Sequence, residues 1–308
     1  MLLSFFQRFN CLLAVSVALV VAAFVTSRPA VAQAPASTLE RLRESATIRI
    51  GYGDTPPFSY RTDEGEIVGY SIEICHRMVE VLRDDLGLKQ LQIEYIYRTP
   101  RNRIQLLNDG VIDIECNAST NTEDRRKSAA FTYSHFYAAT RFVALAKHGF
   151  KRLEDLRGRT VSVALGTINI SQISDVNREL KLNLSVLPAD GLQAAFDMVS
   201  NGQASAFAMD DVLLSAMIAG SERPDDFVLS EELVAQPQPY GFMVRLSDEG
   251  FRTAVNDALT KVYADPEMAG IYQRWFEGII PGYNRSLQLP MSEQLRAALA
   301  SPAEEPNR

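Results

Sequence analysis

The sequence predicts an α/β protein made of two similar units in series, and three observations lead to this fold class. From Thr47 onward, short runs rich in β-branched and aromatic residues alternate with segments of helical periodicity. The alternation restarts after Ala146. The chain has 308 residues, a length at which one hydrophobic core usually stops growing and the chain divides into domains.

The first unit has the order βαβαβ, which is typical of a parallel sheet. One helix is predicted to begin at the N-cap Ser71 and to stop at Gly87. A second helix follows Thr99-Pro100 and ends at Gly110. The strands around these helices are predicted at Ile48–Tyr52, Leu91–Tyr97 and Val111–Glu115.

The second unit repeats this alternation after a strand predicted at Phe142–Ala146. Its helices are predicted at Leu153–Leu156, after Gly166-Thr167, at Leu192–Val199 and after Asp210, and its strands at Thr160–Leu165, Leu182–Leu187 and Ala206–Met209. One more strand, Gly241–Arg245, and helical patterns at Phe251–Tyr263, Pro266–Phe276 and Ser292–Ala300 return to the first unit. Since no low-complexity linker separates the units, we expect short strands to act as hinges.

The first 32 residues have the pattern of a cleaved signal peptide. Arg8 precedes an apolar run over residues 11–25, and the small residues Ala30-Val31-Ala32 follow before Gln33. A membrane anchor is the alternative, but the run is shorter than the roughly 20 residues of a spanning helix. We therefore expect an exported, periplasmic protein. Cleavage would leave Cys75 and Cys116, which can pair in an oxidising compartment or remain as two buried thiols.

Composition argues against several classes of function. Lys and Arg number 31 against 38 Asp and Glu, so no nucleic-acid partner is indicated. Three His and three Cys, without a CxxC pair or metal-ligand spacing, give no support for a metal or another cofactor. The sequence contains no P-loop, GxGxxG, GxSxG or HExxH motif, which leaves the corresponding enzyme classes without support.

Polar clusters at the ends of predicted strands indicate a binding site, because ligands of open α/β sheets lie at the carboxyl ends of strands. The segment 117–121 follows one strand, and Arg125 lies four residues further on. Hydroxyl groups and a guanidinium fork can hold a carboxylate. A capped helix with a solvated face at Arg125–Lys127 explains the same spacing.

Two clusters in the second unit complement the first. Gly166-Thr167 opens a helix, where free N–H groups attract anions. Asp210-Asp211 lies between a strand and a helix, so that one carboxylate can cap the helix while the other binds an ammonium group, or both only cap. Together with Arg125 these groups complement a zwitterion, and an α-amino acid is the expected ligand.

Two further groups of residues have more than one interpretation. Arg101-Asn102-Arg103 places two cations at a helix start, which is unfavourable for the helix dipole and indicates either another role or a surface position. The aromatic residues Tyr52, Phe58 and Tyr60 form a pocket wall or pack in the core.

These residues carry a resemblance to a known family. The chain resembles the periplasmic substrate-binding proteins of ABC amino-acid importers (bacterial extracellular solute-binding protein family 3), and within them the glutamate/aspartate-binding group. The matching stretches are Pro57-Phe58-Ser59-Tyr60, Gly69-Tyr70-Ser71, Asn102-Arg103-Ile104, Asp113-Ile114-Glu115-Cys116, Arg125, Ala129-Ala130-Phe131-Thr132, Met209-Asp210-Asp211, Tyr240-Gly241 and the segment ending at Trp275-Phe276. Each motif is weak alone, and their common order and spacing are specific.

The resemblance implies a two-lobed periplasmic binding protein type II fold with two hinge strands. Residues 33–141 and 242–308 would form a discontinuous lobe 1, and residues 142–241 would form lobe 2. It also implies a monomeric, non-catalytic receptor without a cofactor. That receptor would capture an amino acid, with glutamate or aspartate favoured, and deliver it to an inner-membrane ABC permease complex.

The resemblance assigns roles to individual residues. Arg125 and Thr120 would hold the ligand α-carboxylate together with the backbone N–H of Thr167. Asp210 and the carbonyl of Ala118 would bind the ammonium group.

Arg103 matches the arginine that contacts the side-chain carboxylate in the acidic-amino-acid group, but three positions around it depart from that group's pattern. Gly53-Asp54-Thr55 lies where acidic-specific members carry another arginine, Pro100 replaces a hydroxyl residue, and Leu192 lies near the position of a histidine. These changes leave the amino-acid clamp intact and weaken the contacts to an acidic side chain. Asp54 near the pocket would select an amide or a cation.

The enzymatic alternative is a periplasmic cyclohexadienyl (prephenate/arogenate) dehydratase, because these enzymes resemble the same fold. A dehydratase needs a general acid in the cleft. The candidates for that acid are Glu115, Asp54 and Glu64.

Overall fold

A mixed β-sheet of nine strands runs through the part of the chain that the structure, a computed structural model, describes: residues 37–283 and 285–306. The signal peptide predicted at residues 1–32 lies outside the described residues. The strands are β1 (Thr47–Tyr52), β2 (Tyr60–Arg61), β3 (Ile67–Val68), β4 (Gln92–Tyr97), β5 (Ile114–Glu115), β6 (Ala130–Leu145), β7 (Thr160–Ala164), β8 (Ser185–Ala189), β9 (Ala206–Asp210), β10 (Phe227–Leu229) and β11 (Ala235–Val244). The sheet order is β4-β1-β5-β11-β6-β9-β7-β8 with β10 beside β6, and β2 and β3 pair only with each other.

Helices cover this sheet. They are α1 (Thr38–Ser45), α2 (Tyr70–Asp85), α3 (Arg103–Asn108), α4 (Glu123–Arg126), α5 (Asn169–Glu179), α6 (Leu192–Ser200), α7 (Asp211–Gly220), α8 (Glu249–Ala264), α9 (Glu267–Tyr272) and α10 (Glu293–Ala300). A π-helical turn, Gln273–Glu277, continues α9. Within residues 37–283 and 285–306, no helix combines the length and apolar character needed to cross a membrane.

The sheet has two parallel halves joined by two long antiparallel strands. Strands β4, β1 and β5 are parallel at one end, and β9, β7 and β8 are parallel at the other. Strand β6, with 16 residues, pairs with β11 along its length and then with β9, so that both β6 and β11 run from one half to the other. This is the predicted two-lobed fold with two hinge strands. The lobe limits predicted at 141/142 and 241/242 fall inside β6 and β11, and they stay a prediction.

Several predicted elements begin at different residues from those in the structure, each for a local reason. The N-cap of helix α2 is Gly69, two residues before the predicted N-cap Ser71, and the Ser71 hydroxyl instead contacts the His135 ring at 3.2 Å. The helix α3 begins only at Arg103, because Asn102 Oδ1 accepts a hydrogen bond from the Thr99 N–H in a preceding turn.

A disulfide joins Cys75 and Cys116, whose Cα atoms are 6.4 Å apart. Cys75 lies on α2, and Cys116 follows β5 directly. The bond therefore ties a core helix to the strand end at which the polar segment 117–121 begins. Both side chains are fully buried.

A buried histidine is expected to make the stability of the protein depend on pH. His135 is fully buried and stacks on Phe242 with ring centroids 4.2 Å apart, and burial lowers its pKa to about 3. Because the unfolded state binds a proton as the pH falls below about 6.5 while the folded state does not, this histidine lowers the free energy of unfolding between pH 6.5 and 3. From pH 7 to pH 5 the loss is about 2 kcal/mol. Denaturant unfolding of wild type and His135→Phe at both pH values measures it, and the variant should lose less stability.

A second titrating group and a control variant bear on the comparison of wild type with His135→Phe. Burial raises the pKa of Asp211 to about 6, which acts in the opposite direction in both proteins and so cancels in the difference. His148→Gln removes a histidine from an exposed position and should keep the wild-type dependence. Equal losses of stability in wild type and His135→Phe would contradict the assignment.

Candidate functional site

One narrow pocket brings together all six residues that the sequence predicted to bind a ligand. The pocket is lined by Arg103, Ala118, Thr120, Arg125, Thr167 and Asp210, and also by Thr55, Arg98, Pro100, Ile168, Asn169, Leu192, Met209 and Leu213. It lies at the carboxyl ends of β5, β7 and β9, where an open α/β sheet binds ligands. Its volume of about 20 Å³ is room for about one water, so the lining must move apart to admit an amino acid.

Two arginines meet over the pocket. Nη2 of Arg103 and Nη2 of Arg125 both donate to the carbonyl oxygen of Gly166, at 3.2 and 3.3 Å. Nη1 of Arg103 donates to Ser119 Oγ at 3.0 Å, and Nη1 of Arg125 donates to the Thr120 carbonyl at 2.9 Å. Since Gly166 belongs to the predicted lobe 2 and both arginines to the predicted lobe 1, these bonds link the two predicted lobes across the pocket.

The electrostatics of the arginine pair favour an anion. Arg103 is only 4% exposed, and burial first, then the neighbouring Arg125, lowers its pKa. Burial also lowers the pKa of Arg125. Two guanidinium groups share one neutral carbonyl here, whereas a carboxylate would offer two charged oxygens to the same N–H donors.

A carboxylate faces the arginines from the other half of the sheet. Asp210 ends β9 and is 4% exposed. Its Oδ1 accepts hydrogen bonds from Asn169 Nδ2 at 2.8 Å and from Thr140 Oγ1 at 3.3 Å, and its Oδ2 accepts one from the Tyr240 hydroxyl. Burial raises the pKa of Asp210, and the hydrogen bonds from Tyr240 and Asn169 oppose that rise. An ammonium group would supply the positive partner that this carboxylate needs.

The division of roles within Asp210-Asp211 is visible in the structure. Asp210 occupies the N-cap position of α7, and its side chain makes no capping hydrogen bond within the described chain. Asp211 Oδ1 accepts a hydrogen bond from the N–H of Val212 at 2.8 Å. One carboxylate therefore serves the helix start and the other lines the pocket.

Thr120 and Thr167 lie on opposite sides of the pocket and are positioned differently. Thr120 forms an isolated β-bridge with Tyr240, which fastens the polar segment 117–121 to the hinge strand β11. Thr167 lies in a turn before α5 and not in the first turn of that helix. Its N–H, predicted to bind a ligand carboxylate, donates to the Ala164 carbonyl at 3.3 Å.

The three departures from the acidic-group pattern also have places in the structure. Pro100 and Leu192 line the narrow pocket, and both also line a wider outer cleft of about 1060 Å³ that adjoins it. Asp54 is exposed, lines only this outer cleft and accepts a hydrogen bond from the Tyr97 hydroxyl at 2.8 Å. A carboxylate in that position does not contribute to the chemistry of the narrow pocket.

Two polar pocket residues, Asn169 and Arg98, were not identified from the sequence. Asn169 positions Asp210, and Arg98 is a third guanidinium in the lining. Arg98 follows the strand β4, so the rule that placed the other clusters at strand ends also applies to it. Asn169 lies on the first turn of α5, and only the packing of that helix against β9 brings it to Asp210. Among the described residues, no group of three or more His, Cys, Asp or Glu side chains is arranged to hold a metal ion.

Comparison with known proteins decides the family. The family model of the bacterial extracellular solute-binding proteins, family 3, matches residues 48–278. The L-glutamate/L-aspartate-binding protein of Pseudomonas aeruginosa is 35% identical over 289 residues, which cover 92% of this chain and 94% of that protein. The chain belongs to this family.

A second sequence relative and a solved structure are also similar to this chain. The glutamate/aspartate import solute-binding protein of Escherichia coli is 31% identical over 275 residues, or 88% of this chain and 90% of that protein. The solute receptor for L-cysteine of Neisseria gonorrhoeae superposes with a TM-score of 0.68 at 20% identity, covering 77% of this chain and 92% of that one. This structural match shows that the chain shares the fold of that receptor over 77% of its length.

Proposed function

We propose that the protein is a receptor that captures an amino acid, glutamate or aspartate in preference, for import by an ABC transporter. The observation that carries this proposal is the convergence of Arg125, Thr120, Thr167, Asp210 and the carbonyl of Ala118 on one pocket between two lobes. Guanidinium and hydroxyl groups on one side and a carboxylate on the other complement the two charges of an α-amino acid. The names of the Pseudomonas and Escherichia relatives, both glutamate/aspartate-binding proteins, support an acidic ligand.

The proposed binding mode uses hydrogen-bond donors and acceptors that already line the pocket. The ligand α-carboxylate replaces the Gly166 carbonyl as the acceptor for Arg125 and the Ala164 carbonyl as the acceptor for the Thr167 N–H, with Thr120 as a further donor. The ligand ammonium group pairs with Asp210, whose orientation is fixed by Asn169 and Tyr240. Arg103 extends toward the ligand side chain.

None of the three acids nominated for the dehydratase alternative lines the narrow pocket. Glu115 is fully buried in an ion pair with Arg98, and Glu64 is an exposed residue between β2 and β3 that lines neither the pocket nor the outer cleft. Asp54 lines only the outer cleft. We therefore propose a binding protein without catalytic activity.

The cellular setting follows from the same proposal. We infer that residues 1–32 direct export to the periplasm and are cleaved, and that the monomeric protein presents its ligand to an inner-membrane permease complex. Opening and closing about β6 and β11 would then control capture and release.

Thermal unfolding with candidate ligands tests the receptor function. A ligand at about 100 times its Kd stabilises the folded state by about 2.7 kcal/mol, so glutamate or aspartate should raise the unfolding temperature most among the twenty amino acids. N-acetylglutamate lacks the ammonium group that Asp210 needs and serves as the control that gives no shift. No shift with any amino acid, together with consumption of prephenate, would overturn the proposal in favour of the dehydratase.

A further inference from the structure

The candidate pocket contains a third guanidinium group with no assigned role, that of Arg98. This residue follows β4, which is parallel to β1, and β1 is in turn parallel to β5. The carboxyl ends of these three strands therefore meet at the same edge of the sheet. Arg98 is 2% exposed and lines both the narrow pocket and the outer cleft.

The side chain of Arg98 occupies space that residue 53 leaves open. A Cβ atom added to Gly53 would lie 3.0 Å from the carbonyl oxygen of Arg98, 3.1 Å from its Nη1 and 3.2 Å from its Cζ. The guanidinium thus lies beside the end of β1, where the sequence has glycine and supplies no side chain. The guanidinium of Arg98, which follows β4, lies where a side chain from the loop after β1 would lie.

Arg98 forms one ion pair in the described chain, with Glu115. Its Nη2 lies 2.6 Å from Oε1 of Glu115, which is fully buried. Among the described residues, the Nε atoms of Arg98 and Arg103 have no hydrogen-bond partner, although both are buried. Arg126 and Arg245 also have a buried Nε without a partner, but only Arg98 and Arg103 among these four line the pocket. Since buried N–H donors usually have acceptors, these two are candidates to bind a ligand.

The charges around the pocket point to an anionic ligand. Three guanidinium groups, those of Arg98, Arg103 and Arg125, face two carboxylates, those of Glu115 and Asp210. The described part of this cluster has a formal excess of one positive charge. A neutral zwitterion would leave that excess in place, whereas an amino acid with an anionic side chain would balance it, and an unbalanced buried charge is costly.

We propose that Arg98, held by Glu115, contacts the anionic side-chain group of the bound amino acid together with Arg103 and sets the preference for an acidic over an amide side chain. This inference rests on the proposed receptor function. Arg98 would thus supply a contact to the ligand side chain where the loop at Gly53 supplies none.

Calorimetric titration of glutamate, aspartate, glutamine and asparagine tests the role of Arg98. In Arg98→Leu the ratio of the Kd for glutamine to the Kd for glutamate should fall by about 10-fold to 100-fold, since a hydrogen-bonded charge is lost. That variant leaves Glu115 unpaired and can lose stability, so Arg98→Leu with Glu115→Gln is measured beside it. The double variant restores the formal charge of the cluster, and a persistent fall in the ratio assigns the preference to contact with Arg98.

Two further variants test whether the change in the Kd ratio is specific to the guanidinium of Arg98. Arg98→Leu with Gly53→Arg supplies a guanidinium from the loop after β1 and should recover part of the preference. Removal of the Arg98 side chain clears two of the three close contacts at residue 53 and leaves the 3.0 Å contact with the carbonyl oxygen of residue 98. Arg49→Leu removes an arginine of β1 that has its own ion-pair partner, Asp113, and Arg49 does not line the pocket. It should leave the ratio unchanged.

Three results would overturn the proposal, and they differ from one another. A double variant that keeps the wild-type ratio would show that Arg98 does not set the preference. A wild type that binds glutamine as tightly as glutamate would remove the preference itself while the receptor function remained. If wild type bound no amino acid at all, the receptor function would fall together with the role of Arg98.

Discussion

Replacing Arg125 with alanine is expected to weaken binding of the amino acid by at least about 30-fold while the protein still folds. Arg125 donates to the Thr120 carbonyl and to the Gly166 carbonyl, and it is the residue that would clamp the ligand α-carboxylate. Truncating one partner of a buried, hydrogen-bonded charge pair costs about 2–5 kcal/mol, which raises the Kd roughly 30-fold to 5,000-fold. Calorimetric titration with the amino acid that stabilises wild type most gives the number.

Two variants separate the clamp from general effects of charge. Arg126→Ala removes the next residue of α4, which donates to Asn121 Oδ1 and does not line the pocket, and it should leave the Kd within about twofold. Arg125→Lys keeps the charge but loses the two-pronged donor, so its Kd should lie between those of wild type and Arg125→Ala. An Arg125→Ala protein that binds the ligand as wild type does would rule out this arginine as the clamp.

The parts of the fold that local sequence determines were predictable. Strands β1 and β4 and helices α6 and α8 differ from their predicted ranges by only one or two residues at each end, because each has clear periodicity and a clear stop signal. Strand β6 was predicted only over its last few residues. Most of its 16 residues are buried on both faces as it passes between the lobes, so it lacks the alternation that marks a half-exposed strand.

The site was predictable where it follows from strand ends and not where it follows from packing. The segment 117–121, Thr167 and Asp210 each follow or end a strand, and the structure brings all three to one pocket. Asn169 was not predicted because its contact with Asp210 depends on how α5 packs against β9. The direction of the Arg98 side chain depends on the absence of a side chain at Gly53 and on the buried partner Glu115, which adjoin it only in the folded sheet.

Replacing Gly166 with alanine is expected to prevent the two lobes from closing. Gly166 follows β7 with φ of 82°, and a Cβ atom there would lie 2.6 Å from the carbonyl carbon and oxygen of Pro100 and 2.7 Å from the backbone nitrogen of Arg101. These are backbone atoms, so no side-chain rotation relieves the overlap, and the two loops must separate. Separation of the two loops also moves the Gly166 carbonyl away from Arg103 and Arg125. The Kd should rise about 100-fold, as expected for a few kcal/mol of strain in the closed state.

Gly158→Ala isolates closure from the cost of the left-handed backbone. Gly158 has a similar φ of 70°, belongs to the same predicted lobe, and a Cβ atom there meets nothing in the described chain within 4 Å. Both variants therefore carry the same backbone penalty in stability, of about 1 kcal/mol, but only Gly166→Ala carries the overlap with Pro100. Small-angle X-ray scattering with saturating ligand should show the radius of gyration contract in wild type and in Gly158→Ala, and stay at its ligand-free value in Gly166→Ala. If Gly166→Ala contracts and binds as Gly158→Ala does, the contact between Gly166 and Pro100 does not limit closure.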